Sequence, residues 1–312
     1  ADGGWNFDHN KSINPVPCPD PGGAVEARNG ATGLALLPFL AASQTHKEGD
    51  YKKQVYAGLA YLIKNMEVRD KTGSWNEKQA NMYGHGYAAI AMCDAYARTG
   101  DKELLAPAQL AMNYIVFAQD PVGGGWRYQP KQAGDTSVST VQILALKSGH
   151  QGDLRVPHGT LVGATKFLDS VRGDKEGSLY GYTVPGKGRG TTAMGLLCRT
   201  HLGWMRDAEG LQEGVDHLDK IGPSDDDMYF NYFATQVMFQ YGGEPWKRWN
   251  TRLRDKLIDS QSQDGVTKGS WFFKAGDHGS ERGGRLYCTA LACLILETYY
   301  REGRVFDELK PM

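Results

Sequence analysis

The feature that most constrains the fold of this chain is a turn of the form Gly-x-Trp, which occurs four times. Its copies are Gly3-Gly4-Trp5, Gly73-Ser74-Trp75, Gly124-Gly125-Trp126 and Gly269-Ser270-Trp271, and a degenerate copy reads Gly177-Ser178-Leu179-Tyr180. After each turn the sequence gives a loop, an apolar helix rich in small residues, a polar turn and an amphipathic helix. A unit that recurs in this way indicates an array of helical pairs in which neighbouring pairs share a core.

The apolar helix of this unit is predicted six times. The copies begin near Arg28, Tyr83, Asp135, Arg189, Met228 and Arg285. The stretches 31–37 and 289–294 are apolar nearly all round, which is typical of a helix that is buried on every side. These six segments are therefore predicted to form the inner wall of the fold.

The amphipathic helix is predicted five times, near residues 51–66, 102–118, 157–171, 207–221 and 245–261. In the first copy Val55, Leu59 and Leu62 form one apolar stripe, which indicates a helix that packs inward and faces water outward. An open array of helical pairs needs polar caps at its ends, and the sequence shows none. The repeats thus predict an all-α fold, an α/α toroid of the α6/α6 barrel type, as a single domain over residues 1–312.

The ring predicted from the sequence lacks one outer helix. Only four residues precede Trp5, so no amphipathic helix stands before the first turn, and the segment 301–312 carries no apolar stripe. We therefore expect the sequence to be the C-terminal piece of a longer chain, with an amphipathic helix upstream of Ala1.

Charge and hydropathy argue against two classes of partner. The formal net charge is −1 and no basic block occurs, so the chain lacks the field with which nucleic-acid binders attract phosphates. No apolar run approaches the roughly 18 residues of a transmembrane helix. We expect no nucleic-acid partner and no membrane span, and the five cysteines show no metal-type spacing.

Two stretches, Gln119 to Trp126 and Gln263 to Trp271, resemble the QW repeats of squalene–hopene cyclases. The segments 124–130, 134–138 and 284–291 resemble more closely a group of bacterial prenyltransferase/squalene-oxidase-repeat proteins, over essentially the whole chain. The resemblance implies the toroid of terpene cyclases and protein prenyltransferase β subunits, whose cavity opens at the inner-helix starts. It implies no activity, because a fold hosts many functions.

The proton-donating acid of the cyclases is missing from the matching segment. The resemblance aligns their DxDDT motif with a stretch that begins at Asp135, where Ser137 takes the place of the acid and Val138 that of the next Asp. A serine hydroxyl is no strong general acid. The sequence therefore argues against proton-initiated cyclisation and favours Asp135 as a helix cap.

The metal sites of the resembling families are missing too. The zinc ligands of the prenyltransferases would fall at Tyr229, Asn231 and Cys288, and a thiol alone is not a zinc site. The run Asp225-Asp226-Asp227 lacks the last carboxylate of a DDxxD motif, and acidic residues before a helix favour the positive end of its dipole. We expect no bound metal and no cofactor.

Polar and aromatic residues nevertheless cluster near the predicted starts of the inner helices. The candidate ligand-binding residues are Tyr83, His85, Tyr87, Asp135, Arg189, Tyr229, Asn231, Tyr232, Arg285 and Tyr287. The candidate catalytic residues are Asp135, His85, Asp277 and His278. Each taken alone is also explained as a hydrogen-bonding group between helices.

Three functions fit this sequence. The first is the binding of a small apolar molecule, such as an isoprenoid, in the central cavity. The second is a lyase or hydrolase acting on polysaccharide through Tyr, His and Arg groups. The third is a protein-interaction domain. A cavity walled by apolar aromatics would favour the first, an open groove the second, and a filled centre the third.

Overall fold

The computed structural model describes residues 2–11, 17–274 and 278–301, without the side chains of His278 and Arg301. Within these residues the chain forms eleven α-helices and one two-stranded hairpin. In chain order they are α1 (Arg28–Ala41), α2 (Lys52–Lys64), β1 (Glu67–Arg69), β2 (Thr72–Ser74), α3 (Asn81–Thr99), α4 (Lys102–Ala118), α5 (Thr136–Gln151), α6 (His158–Ser170), α7 (Arg189–His201), α8 (Glu209–Ile221), α9 (Met228–Tyr241), α10 (Gly243–Ser260) and α11 (His278–Arg301).

The odd-numbered helices close into an inner ring. Each of them packs against the next, in the order α1, α3, α5, α7, α9 and α11, and α11 packs back against α1. The even-numbered helices form the outer layer, where α2 lies on α1, α4 on α3, α6 on α5, α8 on α7 and α10 on α9. The predicted α/α toroid is therefore confirmed, and in the described part of the chain five outer helices surround six inner ones.

The burial of the two layers explains why their sequences differ. Inner helices such as α9 are buried on all sides, so their apolar residues show no single face. The outer helix α10 buries Trp246, Trp249, Leu253 and Leu257, at spacings of three and four residues, and exposes the charged positions between them. No helix in the described ranges is long and apolar enough to cross a membrane.

Glycines allow two inner helices to approach each other closely. A Cβ atom on Gly30 of α1 would lie 2.9 Å from the Cα atom of Gly84 of α3, closer than real Cβ contacts allow. Larger residues here would push the two helices apart and change the width of the ring.

In three of the turns, the Trp side chain is hydrogen-bonded to the end of the outer helix before it. The indole N–H groups of Trp75, Trp126 and Trp271 donate to the carbonyls of Leu62, Ile115 and Leu257, at 2.7 to 2.8 Å. These carbonyls lie in the last turns of α2, α4 and α10, where a helix leaves carbonyls without internal partners. In these three units the Trp therefore helps to fix where the outer helix ends.

A second hydrogen bond ties the turn to the inner helix after it, and it is found in all six units. In each, a backbone N–H of the turn donates to a side chain in the first turns of the following inner helix. The pairs are Trp5 to Thr32, Trp75 to His85, Trp126 to Ser139, Tyr180 to Thr192, Ser224 to Asn231 and Trp271 to Thr289, at 2.8 to 3.2 Å.

The predicted start of the last inner helix near Arg285 is confirmed. Gly284 has a non-helical backbone (φ 58°, ψ −153°), so α11 consists of a short helical segment from His278 and, after the kink, the inner helix that begins at Arg285. The Arg285 backbone N–H donates to the Asp20 carbonyl, which lies outside the helix, at 2.9 Å.

One other prediction needs a correction. The glutamine equivalent to Gln119 is Gln261 rather than Gln263, since Gln119 donates to the Gly124 carbonyl and Gln261 to the Gly269 carbonyl. The loop between Gln261 and Gly269 contains a 3₁₀ turn, Gly265–Thr267, which makes it longer than the loop after Gln119. The two glutamines therefore do not align by their spacing in the sequence.

We expect Trp126→Phe to lower the free energy of unfolding by about 2–4 kcal/mol, because it leaves the buried Ile115 carbonyl without its donor and opens a cavity. Urea unfolding followed by far-UV circular dichroism measures this value. The control is Val122→Ala in the same loop, where the side chain is 75% exposed and the change should be below about 0.5 kcal/mol. Equal effects of the two substitutions would contradict the role assigned to the turn.

Candidate functional site

A cavity of about 820 Å³ lies inside the ring, at the ends where the inner helices begin. All six inner helices contribute to its wall through residues of their first turns or the residue just before them. The ring is therefore hollow at this end, and the cavity is the place where residues from every repeat meet.

Six tyrosines line this cavity. Tyr83 and Tyr87 come from α3, Tyr229 from α9 and Tyr287 from α11. All four were among the predicted candidate residues. The other two, Tyr128 and Tyr182, lie in the loops before α5 and α7 and were missed by the sequence analysis.

The repeat contains a pattern by which the missed residues can be found. Tyr128 stands two residues after Trp126, and Tyr182 stands two residues after Tyr180. Phe7, two residues after Trp5, also lines the cavity. Because the hydrogen bond from the turn to the inner helix holds the turn against the helix start, the second residue after the turn reaches the cavity in these three of the six units.

Tyr128 and Tyr182 form a pair at the rim. Their hydroxyl oxygens are 2.7 Å apart, and the guanidinium carbon of Arg127 lies 5.5 Å and 5.8 Å from the two ring centres. A cation at this distance from aromatic rings is attracted by them. The pair and the arginine thus hold two loops from neighbouring repeats together above the cavity.

Asp135 lies behind this rim and is fully buried. Its carboxylate accepts from the Val138 backbone N–H at 2.8 Å and from the Ser137 hydroxyl at 2.9 Å, and the Arg127 Nε atom is 3.6 Å away. Burial raises the pKa of the Asp135 carboxyl, against the opposing effect of these hydrogen bonds. Asp135 caps α5, and Ser137 rather than Asp135 faces the cavity.

Three of the cavity tyrosines have hydroxyl groups that are held in the neutral form. Burial raises the pKa values of Tyr83, Tyr182 and Tyr229 well above that of a free tyrosine. The side chains of Ser137 and Tyr229 lie close to the Tyr83 hydroxyl. These groups donate and accept hydrogen bonds, and they are poorly suited to act as bases.

His85 is placed by the structure outside the cavity. Its Nδ1 atom accepts from the Trp75 backbone N–H at 3.2 Å, and its ring lies edge-on against Tyr114 at 4.6 Å. Burial lowers the pKa of His85 to about 3, so the imidazole is neutral near pH 7 and keeps the lone pair that the N–H needs. His85 thus takes the position that Thr or Ser takes in other repeats.

Asn231 has the same place in the fifth unit. Its Oδ1 atom accepts from the Ser224 backbone N–H at 2.8 Å, and its Nδ2 group donates to the Ser224 carbonyl at 2.9 Å. Its neighbour Tyr232 is buried and packs edge-on against Phe233. Neither Asn231 nor Tyr232 lines the cavity.

The two arginine candidates are engaged in ion pairs beside the cavity. Arg189 lies 3.0 Å from Asp227, and its guanidinium carbon is 5.3 Å from the centre of the Phe230 ring. Arg285 pairs with Asp20 and donates to Ser270. Both link a helix start to another segment of the ring.

The remaining residues considered in the sequence analysis are the acidic residues before α9 and the candidates Asp277 and His278. Asp227 caps α9, accepting from the Phe230 backbone N–H at 2.8 Å, and it is the one acidic residue among the described residues that line the cavity. Asp277 lies outside the described residues, and His278 is described only as the first residue of α11. Over the described ranges, no three His, Cys, Asp or Glu side chains form a metal-binding group.

Comparison with known proteins supports the fold and gives no family. No protein-family model matches the chain, and no curated protein matches it. Among solved structures it is similar to an inactive variant of an α-1,6-mannanase of glycoside hydrolase family 76 from Salegentibacter sp. in complex with α-1,6-mannotriose, at 11% identity and a TM-score of 0.63, covering 97% of this chain and 94% of that one. It is also similar to the cellobiose 2-epimerase of Bacillus thermoamylovorans, at 14% identity and a TM-score of 0.61, covering 87% of each chain.

A prenyltransferase is among these neighbours as well. The protein geranylgeranyltransferase-I of Candida albicans, complexed with GGPP, is similar at 13% identity and a TM-score of 0.57, covering 88% of this chain and 85% of that one. The toroid implied by the sequence resemblance is thus confirmed, and carbohydrate enzymes share it. At these identities the likeness extends to the fold alone.

The buried neutral His85 should make stability depend on pH. Its pKa of about 3 in the folded state lies below the value of about 6.5 in an unfolded chain, so its contribution is complete above pH 6.5 and falls as the pH drops towards 3. The substitution His85→Asn keeps a hydrogen-bond acceptor for the turn, as Asn231 provides in its own unit. We expect it to reduce the fall in the free energy of unfolding with decreasing pH by up to about 1.4 kcal/mol per pH unit. Urea unfolding of both proteins between pH 7 and pH 4.5 measures the difference, and parallel curves would contradict the assignment.

Proposed function

We propose that the chain binds an oligosaccharide in the cavity of its toroid. The observation that carries the proposal is the convergence of six tyrosines on one cavity of about 820 Å³. A tyrosine offers an apolar ring face and a hydroxyl on the same side chain. This combination suits a sugar, which presents both C–H faces and hydroxyl groups.

The size and the lining agree with a recognition site. Pockets that bury small ligands have volumes of roughly 300–1,000 Å³ and combine aromatic walls with a few polar groups. Here Gln79 and Asn81 supply amides at the start of α3, and Arg282 supplies a cation. Arg282 donates to the Gln79 carbonyl at 3.0 Å, so these groups lie together on one side of the cavity, where they provide donors and acceptors for a bound sugar.

The geometry favours binding over hydrolysis. Most glycosidases use two carboxyl groups that flank the bond to be cleaved, roughly 5–9.5 Å apart. Among the described lining residues Asp227 is the one carboxylate, and it is paired with Arg189, while Asp135 lies behind Ser137. The raised pKa values of the tyrosines also argue against proton abstraction by tyrosinate, as a lyase would need.

Two of the similar structures belong to proteins that act on carbohydrates. An α-1,6-mannanase in complex with α-1,6-mannotriose and a cellobiose 2-epimerase have the same fold as this chain. The mannanase variant holds a sugar in its structure. The choice of ligand for this chain rests on the tyrosines.

A second candidate ligand is an isoprenoid. Phe7, Leu34 and Met194 give the cavity apolar patches, and a similar toroid is complexed with GGPP. The amides of Gln79 and Asn81 and the guanidinium of Arg282 also face the cavity, and a purely apolar chain would displace water from these groups without replacing its hydrogen bonds, which costs free energy. The oligosaccharide is therefore the better fit.

Titration calorimetry distinguishes the two ligands. We expect at least one of α-1,6-mannotetraose, cellotetraose and maltotetraose to bind, and geranylgeraniol to bind more weakly. Binding of geranylgeraniol alone would reject the proposal in favour of the isoprenoid. Release of smaller sugars during prolonged incubation would reject the assignment to binding without hydrolysis.

Removal of a rim tyrosine should weaken this binding. Tyr182→Ala should lower the affinity for the bound tetrasaccharide by about tenfold, because the ring supplies stacking area and holds Tyr128 in place. The control is Tyr56→Ala on α2, whose side chain is 60% exposed and lies away from the cavity. If the Tyr182→Ala and wild-type proteins bind the tetrasaccharide with equal affinity, the rim tyrosines are not part of the binding site.

A further inference from the structure

A second cavity, of about 600 Å³, lies next to the first. Its wall consists of the hairpin β1–β2, the segment 76–78, the α4 residues Tyr114 and Phe117, and the loop residues 129–130. None of these residues is among the candidate site residues predicted from the sequence, and the proposed function assigns them no role.

The two cavities share a thin wall. Glu77 and Lys78 line the second cavity, and the next residue, Gln79, lines the central cavity. In the other segment Tyr128 lines the central cavity, and the next residue, Gln129, lines the second one. Consecutive Cα atoms are about 3.8 Å apart, so each segment crosses from one cavity to the other within one residue step. The hydrogen bond from the Met82 backbone N–H to the Tyr128 carbonyl, at 3.3 Å, holds the two crossing segments side by side.

The lining of the second cavity suits a ligand rich in hydroxyl groups. Phe117 is 49% exposed, its ring centre lies 6.1 Å from that of Tyr114, and the Lys131 ammonium stands 4.4 Å from the Phe117 ring centre. The amides of Asn76 and Gln129 and the charges of both signs around them provide donors as well as acceptors. An apolar ligand would have to strip water from these groups without replacing their hydrogen bonds.

We propose that the two cavities form one extended site, and that the ligand is an oligosaccharide long enough to cross the shared wall and contact Phe117. This inference rests on the proposed function of the central cavity. The central cavity takes one end of the chain of sugars, and the second cavity takes the sugars that continue over Lys78 and Gln129.

Chain-length dependence tests the extended site. Calorimetry compares the disaccharide with the tetrasaccharide of the α-1,6-mannose, cellulose and maltose series. We expect the tetrasaccharide of the preferred series to bind about tenfold more tightly than its disaccharide, since one additional aromatic contact contributes on this scale. Phe117→Ala should abolish this advantage and leave the disaccharide affinity unchanged.

The control substitution is Leu105→Ala, on the same helix, where the side chain is 42% exposed and lies outside both cavities. It should keep the chain-length advantage. Hydrogen–deuterium exchange of the wild-type protein gives a readout without any substitution. The tetrasaccharide should protect the amides of residues 67–78, and the disaccharide should not.

The outcomes separate the two proposals. If no sugar of the three series binds, the proposed function fails and the extended site fails with it. If disaccharide and tetrasaccharide bind equally and residues 67–78 stay unprotected, the proposed function stands and the extended site is rejected. An equal loss of both affinities in Phe117→Ala also rejects it.

Discussion

The structure depends on one hydrogen bond that is made six times, from a backbone N–H of the turn to a side chain in the first turns of an inner helix. Together with the indole bond to the preceding outer helix, it fixes the distance and orientation between an outer helix end and the next inner helix start. A buried backbone N–H without a partner is costly, so the acceptor side chain is required in every unit. The side chain that accepts this bond can vary as long as its lone pair lies in the same place. The acceptors in the six units are accordingly Thr, Ser, His and Asn side chains.

The same bond determines where the cavity lies and what lines it. Because each turn is held against a helix start, the residues just after the turns project to one end of the ring, where Phe7, Tyr128 and Tyr182 are found. The first turns of the inner helices add four more tyrosines to this end. Burial then raises the pKa values of several of these groups, so the cavity offers neutral hydroxyls rather than charged catalysts.

The fold was predictable from the sequence because the repeat is periodic and each unit carries the same local chemistry. Helix starts at Arg28, Arg189 and Met228 are confirmed to the residue. The site was predictable only in part, since the position of a residue near a helix start does not tell which way its side chain points. His85 faces the Trp75 turn while Tyr83 and Tyr87, two residues before and after it on the same helix, face the cavity.

Ser137 and Asp135 belong to a buried network that supports the rim of the cavity. Ser137 stands where the resemblance placed the proton donor, and its hydroxyl donates to the buried Asp135 carboxylate while contacting Tyr83. Asp135 in turn faces Arg127, which lies over the rings of Tyr128 and Tyr182. A carboxylate buried at such cost persists only when its hydrogen bonds and a nearby cation compensate for the lost water. The network therefore orders the tyrosines of the rim, and ordered side chains that present ring faces and hydroxyl groups suit the sugar that we propose as the ligand.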